Sequence, residues 1–413
     1  MKKIFLVIII ISNICIIKGQ TFKTQIFDNQ IKTLQIGLAG VSFSLPVINL
    51  NGDAVLEVSF DELSHDAHTY HYRLLHCNAD WTSSQLVSTE YISGFSIGDI
   101  TDYALSVSTL VSYTHYWLSL PNETMQFRIS GNYVLQIYED DVNQPVVQAC
   151  FSVAEPKVEI SGRVRPNTDT ELKGALQQLD FEVDISGYPT SDPNNDIKVN
   201  IRQNQRIDNQ IINLKPTFFN KSKLSFTNNK QLIFEGGNEY HRFDISSLYA
   251  ASYGLDYMSY DGTNNNAFLL PYSLPEIYVS QPDVNGKFLI NFQEAFYDVT
   301  LEADYVLVHF AFDSYEPFFD GNVYIGGDFN YNLIDRAVQM KYVIEDRRYI
   351  LTYLLKQGGY NYQYWFVPKN QQVANTRRTD GSFWQTNNEY TIYVYSRAWG
   401  ERYDKLIGVK VIE

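Results

Sequence analysis

The chain has 413 residues, a formal net charge of -15, and 45% hydrophobic and 15% aromatic residues. That length exceeds what one hydrophobic core usually serves, so on the order of two to four domains are expected. The acidic balance, with no basic cluster beyond pairs such as Arg347-Arg348 and Arg377-Arg378, excludes the positive footprint of a nucleic-acid binder and disfavours adhesion to anionic lipid.

Lys2 and Lys3 precede an apolar run, Ile4–Ile17, broken by Ser12 and Asn13, and Gly19-Gln20 offers a cleavage edge. Residues 1–19 therefore read as a secretory signal peptide. The run is shorter than the ~20 apolar residues a membrane span needs, and no later segment reaches that length, so direct membrane insertion is not expected. Cys15 lacks the small preceding residue that lipidation favours. Removing the leader takes away Lys2, Lys3, Lys18 and Cys15, leaving a more acidic chain with two cysteines. In an exported protein Cys77 and Cys150 form a candidate disulfide or persist as two buried thiols. Neither belongs to a C-x-x-C pair, which argues against redox or zinc chemistry.

Beyond residue 20 short extended runs alternate with Gly, Pro, Asn and Asp, a pattern of strands and turns. The expected fold is all-β: three consecutive immunoglobulin-like or early-set β-sandwich domains. The first, 20–154, closes with the strand Ala149–Val153. The second, 155–277, starts at Glu155-Pro156, contains the turn Ser191–Asp196 and ends near Leu274-Pro275. The third, 278–413, opens on Tyr278–Gly286. Helical spacing of Leu172, Leu176 and Leu179 marks Thr170–Leu179 as a short helix or as a loop entering a strand. Tyr349–Leu355 and Gly359–Pro368 read as a hairpin through Lys356-Gln357-Gly358-Gly359. In its second arm Tyr360, Tyr362, Tyr364 and Phe366 share one face, opposite Asn361 and Gln363.

Four histidines gather at His65, His68, His71 and His76. Period two sends His68 and His71 to opposite faces of a strand, and only a loop gathering His65, Asp66 and His68 would suit a metal. They read as loop and strand residues, with His76 buried and hydrogen-bonded, and no zinc site is assigned. There is no G-x-S-x-G elbow and no H-E-x-x-H helix. Adjacent carboxylates such as Asp140-Asp141 point to opposite strand faces and cannot flank one glycosidic bond. Gly326-Gly327 lacks the helix and lysine of a phosphate loop. No catalytic residue, metal or cofactor is assigned. The run Val323–Asn330, with Trp365, Trp384, Trp399 and many tyrosines, leaves a secreted or periplasmic carbohydrate-binding module as the alternative reading.

Tyr72 and Leu74 lead into His76-Cys77-Asn78-Ala79-Asp80-Trp81, followed by Tyr91-Ile92-Ser93-Gly94-Phe95, Tyr113-Thr114-His115-Tyr116 and Ser130-Gly131-Asn132-Tyr133. These blocks resemble the first domain of the type IX secretion system plug proteins of Bacteroidetes, and Asp380-Gly381-Ser382-Phe383-Trp384 resembles the family's C-terminal pattern. On that resemblance Tyr72, His76, Cys77, Asn78, Asp80, Trp81, Tyr91, Gly94 and Phe95 are family-motif residues. They are read as determinants of the first domain or as part of a partner surface. The resemblance implies a non-enzymatic periplasmic accessory, monomeric on its own. It would bind the periplasmic mouth of the large outer-membrane β-barrel translocon and close the channel when no substrate is exported. Docking residues are not readable.

Overall fold

Alternating β-branched and aromatic residues become strands almost throughout a computed structural model that describes residues 21–249 and 252–413. The expected leader, 1–19, lies outside the described residues. Among the described residues helix is limited to single turns such as Ser88–Tyr91, Pro193–Asp196 and Val299–Glu302, and the fold is all-β.

In the first unit one sheet runs Gln25–Ile26, Val147–Ala154, Gly131–Tyr138, Tyr70–Cys77, Ile97–Ile100, with Val47–Asn49 parallel to Val147–Ala154. It faces a sheet ordered Ile31–Leu38, Leu56–Glu62, Thr114–Leu120, Asp102–Leu105. Strand alternation turns Tyr70, Tyr72 and Leu74 inward against Phe60 and Tyr116. The Phe60 and Tyr116 rings stack at 5.2 Å, and Tyr70 meets both edge-on.

The second unit breaks the expected succession. One sheet holds Glu159–Arg165, Leu176–Asp184, Lys223–Phe226 and Phe218–Asn220. The other runs Ile211–Leu214, Ile197–Gln203, Tyr390–Ser396, Lys405–Ile412. Tyr390, Ile392 and Val394 alternate inward and complete the core begun by Leu179, Phe181 and Val199. The third unit lies between those two passes. Its sheets are Leu255–Tyr260, Asn265–Leu269, Tyr305–Asp313, Arg348–Lys356, Lys341–Val343 and, facing them, His241–Asp244, Gly358–Pro368, Phe288–Ile290, with Gly321–Gly326 also on Gly358–Pro368.

The division expected at 277–278 is thus corrected. The third core already includes Phe243, Ile245 and Leu255, and the last two strands return to the second core. The units are nested, not consecutive. One local expectation also changes, and one open alternative is decided. Arg348–Lys356 and Gly358–Pro368 do not pair with each other; the chain turns a corner at Gln357 from one sheet to the facing one. Residues 170–175 form a loop entering the strand Leu176–Asp184, with Leu172 exposed.

Candidate functional site: buried joints between the units

The Tyr70–Cys77 strand ends in a tight corner. Trp81 N–H donates to Asn78 O (2.9 Å) and Asn78 N–H to Thr82 O (2.9 Å), while Asp80 Oδ1 accepts from Thr82 N (3.1 Å) and Thr82 Oγ1 (2.6 Å). These are the local side-chain bonds for which Asn and Asp suit turns. Trp81 takes φ +63°, unusual for a bulky residue, and is held there by packing on Phe22, Cys77 and Val134.

This corner is plugged into the second unit. Ala79 N–H donates to Asp404 Oδ2 (2.9 Å), and Asn200 Nδ2 donates to Ala79 O (2.7 Å). The Arg397 guanidinium donates to Asn78 Oδ1. Asp404, almost wholly buried, also meets Lys198 Nζ at 2.7 Å and Arg397 Nε at 2.9 Å. Behind the corner Asn132 Nδ2 donates to Asn78 O (3.0 Å), and Asn132 Oδ1 accepts from Tyr395 OH (3.0 Å). His76 is a buried wedge in the same joint. Its Nε2–H donates to Ser130 O (3.2 Å), and its ring meets Tyr133 and Tyr403 edge-on at 5.0 and 5.4 Å. Burial pushes its pKa down to about 4, so it is neutral in the fold.

Other family-motif residues serve the first unit itself. Tyr91 OH donates to Leu74 O (3.1 Å), and Tyr72 lies in the core with Asn122 Nδ2 at 3.4 Å from its hydroxyl. Gly94 has φ +95°, and a Cβ there would fall 2.0 Å from Thr124 O, so glycine is required. Phe95 differs: its side chain is 72% exposed and fills no core. The candidate disulfide is corrected. Cys77 and Cys150 are free thiols, on strands that flank Gly131–Tyr138, with Cys77 opposite Asn132 and Cys150 opposite Val134. An intervening strand sets them beyond the ~7 Å Cα separation a disulfide tolerates. Burial pushes the Cys150 thiol up to about 12. Among the described residues no group of three or more His, Cys, Asp or Glu is placed to hold a metal. His68 pairs with Glu62 and His71 with Asp99, each at 2.5 Å.

A second joint ties the first unit to the third. Asp61 and Lys356, both almost wholly buried, meet at 2.6 Å. Asp61 also accepts from His115 Nδ1 and Tyr305 OH, each at 2.6 Å. Lys356 Nζ donates to Thr300 O (2.6 Å) and lies 4.0 Å from the Tyr113 ring centroid. Tyr113 OH reaches Thr300 O and Ala303 O, both at 2.9 Å. Burial would raise the Asp61 carboxyl, but the Lys356 charge and the His115 hydrogen bond outweigh it and hold it below its ordinary value. Burial lowers Lys356, with Asp61 offsetting only part. In the sequence Lys356 reads as part of a hairpin turn, and no motif or spacing singles out Asp61.

The third joint uses the Asp380–Trp384 pattern. Buried Asp380 accepts from Tyr364 N (2.8 Å) and pairs with His241 Nε2 (2.8 Å), and Ser382 Oγ donates to Ala175 O (2.6 Å). Trp365 is fully buried under the Arg206 guanidinium, 4.6 Å from its ring. Asn361 and Gln363 are buried as well, so the polar face of that strand forms joint rather than solvent surface.

The family described as "Type 9 secretion system plug protein 1st domain" matches residues 31–155. A crystal structure of a hypothetical protein from Parabacteroides merdae ATCC 43184 is 40% identical, with TM-score 0.93 over 95% of this chain and 99% of that one. By its first domain, residues 31–155, the chain belongs with the type 9 secretion system plug proteins. A biofilm associated protein BSP domain (7% identity, TM-score 0.20, 96% of this chain and 60% of that one) and the C-terminal domain of the Streptococcus pyogenes antigen I/II-family protein AspA (8%, 0.16, 93% and 100%) are too dissimilar to carry an argument. No curated protein matches. Membership implies a role in type 9 secretion and a periplasmic location, and the family is not one of enzymes. No helix among the described residues is long and apolar enough to cross a membrane.

Proposed function

We propose that this protein is a non-enzymatic periplasmic plug that docks on the periplasmic mouth of the type 9 translocon's outer-membrane barrel and closes it between export events. A stopper for a wide pore must not hinge. Units joined through ordinary polar interfaces move relative to one another by default. The observation that carries the reading is the seating of the family-matched corner, Asn78–Ala79, on Asp404, Asn200 and Arg397. With the Asp61–Lys356 joint it supports a single stiff body.

The contact surface we favour is an exposed apolar band on the first unit, formed by Phe95, Ile97, Tyr103, Leu105 and Val107. Val107 N–H donates to Leu301 O (2.8 Å), which brings the band to the exposed Phe296 and Tyr297 of the third unit. Aromatic anchors with a polar rim suit a reversible interface. The glycan alternative is not favoured: Trp365 is inaccessible, and Trp399, 98% exposed, stands on a turn after Tyr390–Ser396. The test is affinity capture with the tagged mature protein from detergent-solubilised envelopes. Recovery of a very large outer-membrane barrel is expected, and its loss in the double variant Phe95→Glu, Tyr297→Glu. Recovery of no membrane protein, alongside saturable glycan-array binding, would overturn the reading.

A further inference from the structure

A groove of about 610 Å³ opens where all three units meet, within the range of functional ligand sites. The first unit contributes the strand Ile31–Leu38 and the loop to Pro46, the second Arg202 and its neighbours, and the third Phe288, Leu289 and Asn332. Two open sheet edges line it. Ile31–Leu38 ends its sheet, and Phe288–Ile290 ends another.

The direction of the edge groups follows from alternation. Leu38 N–H donates to Ser44 Oγ (2.8 Å) and Leu38 O accepts from Val41 N (3.0 Å), so Leu38 turns away from its ladder with both groups already bonded. Ile36, two residues back, turns the same way and is the residue that presents N–H and C=O to the groove. On the other edge Lys287 O and Asn291 N bond to Asn361 and Gln357. Lys287, Leu289 and Asn291 therefore face their ladder, and Phe288 and Ile290 present N–H and C=O outward. Apolar walls come from Leu34, Phe43, Trp81 and Tyr331.

Two polar groups in the groove lack complements. Arg202 sits 5.7 Å from the Trp81 ring and bonds Gln210 Oε1 (3.1 Å), but no carboxylate within 4.0 Å pairs with it among the described residues. Asn332 is 3% exposed and its Oδ1 finds no donor. An acceptor is wanted at Arg202 and a donor at Asn332.

We infer that this groove is a strand-addition site for an extended peptide segment of a partner protein, one presenting an acidic group to Arg202 and a donor to Asn332. Backbone bonding to an open edge supplies affinity, while alternate side chains entering apolar pockets supply selectivity. The inference goes beyond the plug reading and does not depend on barrel docking. It also gives the junction a use that no single unit has: a segment bound there touches all three units at once.

The test is an array of acetylated peptides of about eight residues alternating valine and threonine, with glutamate and lysine scanned and the C-terminus free or amidated, probed with the labelled mature protein. Binding is expected for peptides carrying a carboxylate near one end. Hits should weaken by about tenfold or more in Arg202→Leu, which keeps an apolar stem, and in Ile36→Pro, which deletes one edge N–H where proline is tolerated. Thermal melts check folding, and if Ile36→Pro does not fold, Arg202→Leu alone decides. No binding across the array, or hits indifferent to the carboxylate and to Arg202→Leu, would overturn it.

Discussion

The two joints that hold the first unit differ in chemistry. At Asn78–Ala79 a backbone corner enters a socket of side chains, and the cations around Asp404 remain partly solvated. At Asp61–Lys356 two full charges are shut away together with a histidine and a tyrosine. The first tolerates adjustment because water can replace a lost partner. The second does not, since removing one charge leaves the other buried and alone. One family body thus uses a local motif for one joint and a long-range ion pair for the other.

The sharpest way to break this contrast is Lys356→Met. It should cost about 3–5 kcal/mol in urea unfolding, and the double variant Asp61→Leu, Lys356→Met should recover much of that loss. A double variant worse than the single would refute the isolated-charge account. Acid also separates the joints. Asp61 has its folded pKa below the ordinary 3.8, so its contribution is present above about pH 4 and is lost as pH falls through the folded value. His76 titrates earlier. With a folded pKa of about 4 against an ordinary 6.5, the folded state binds fewer protons between those values. Stability should therefore fall by roughly 3 kcal/mol as pH drops from 6.5 to 4. Urea midpoints of His76→Phe across that window should lack this component, and an unchanged slope would show that His76 is not the group responsible.

Smaller effects sharpen the comparison. Asp404→Ala removes the acceptor of Ala79 N–H but leaves Lys198 and Arg397 able to reach water, and about 1.5–3 kcal/mol is expected. A loss as large as that of Lys356→Met would erase the distinction between the joints. Phe95→Glu lies outside both joints and should change stability by less than about 0.5 kcal/mol, while weakening barrel capture.

Part of this architecture is legible in the chain. Period-two alternation announces strands, and the Asn78-Ala79-Asp80-Trp81 turn chemistry marks the corner because its hydrogen bonds are local. Alternation does not say which strand a neighbour will be. Lys356–Gly359 reads as a hairpin turn, yet a corner between facing sheets needs the same glycines; only the pairing of Gly358–Pro368 with His241–Asp244 and Phe288–Ile290 decides. The nesting of the third unit is hidden for the same reason, since nothing in Tyr390–Ser396 names Ile197–Gln203 as its partner. Asp61 and Lys356 lie far apart in the chain, and no spacing rule joins them. Exposed Phe95 sits inside a motif of buried residues, and its aromatic character alone suggests core.

The most direct measurement of the central claim is uptake of a large hydrophilic solute across the outer membrane, in strains with and without this protein and with the translocon present or deleted. A stiff plug predicts leakage when the protein is missing and the translocon remains, and no leakage when both are gone. Unchanged permeability in the strain lacking only this protein, with the translocon intact, would contradict the account.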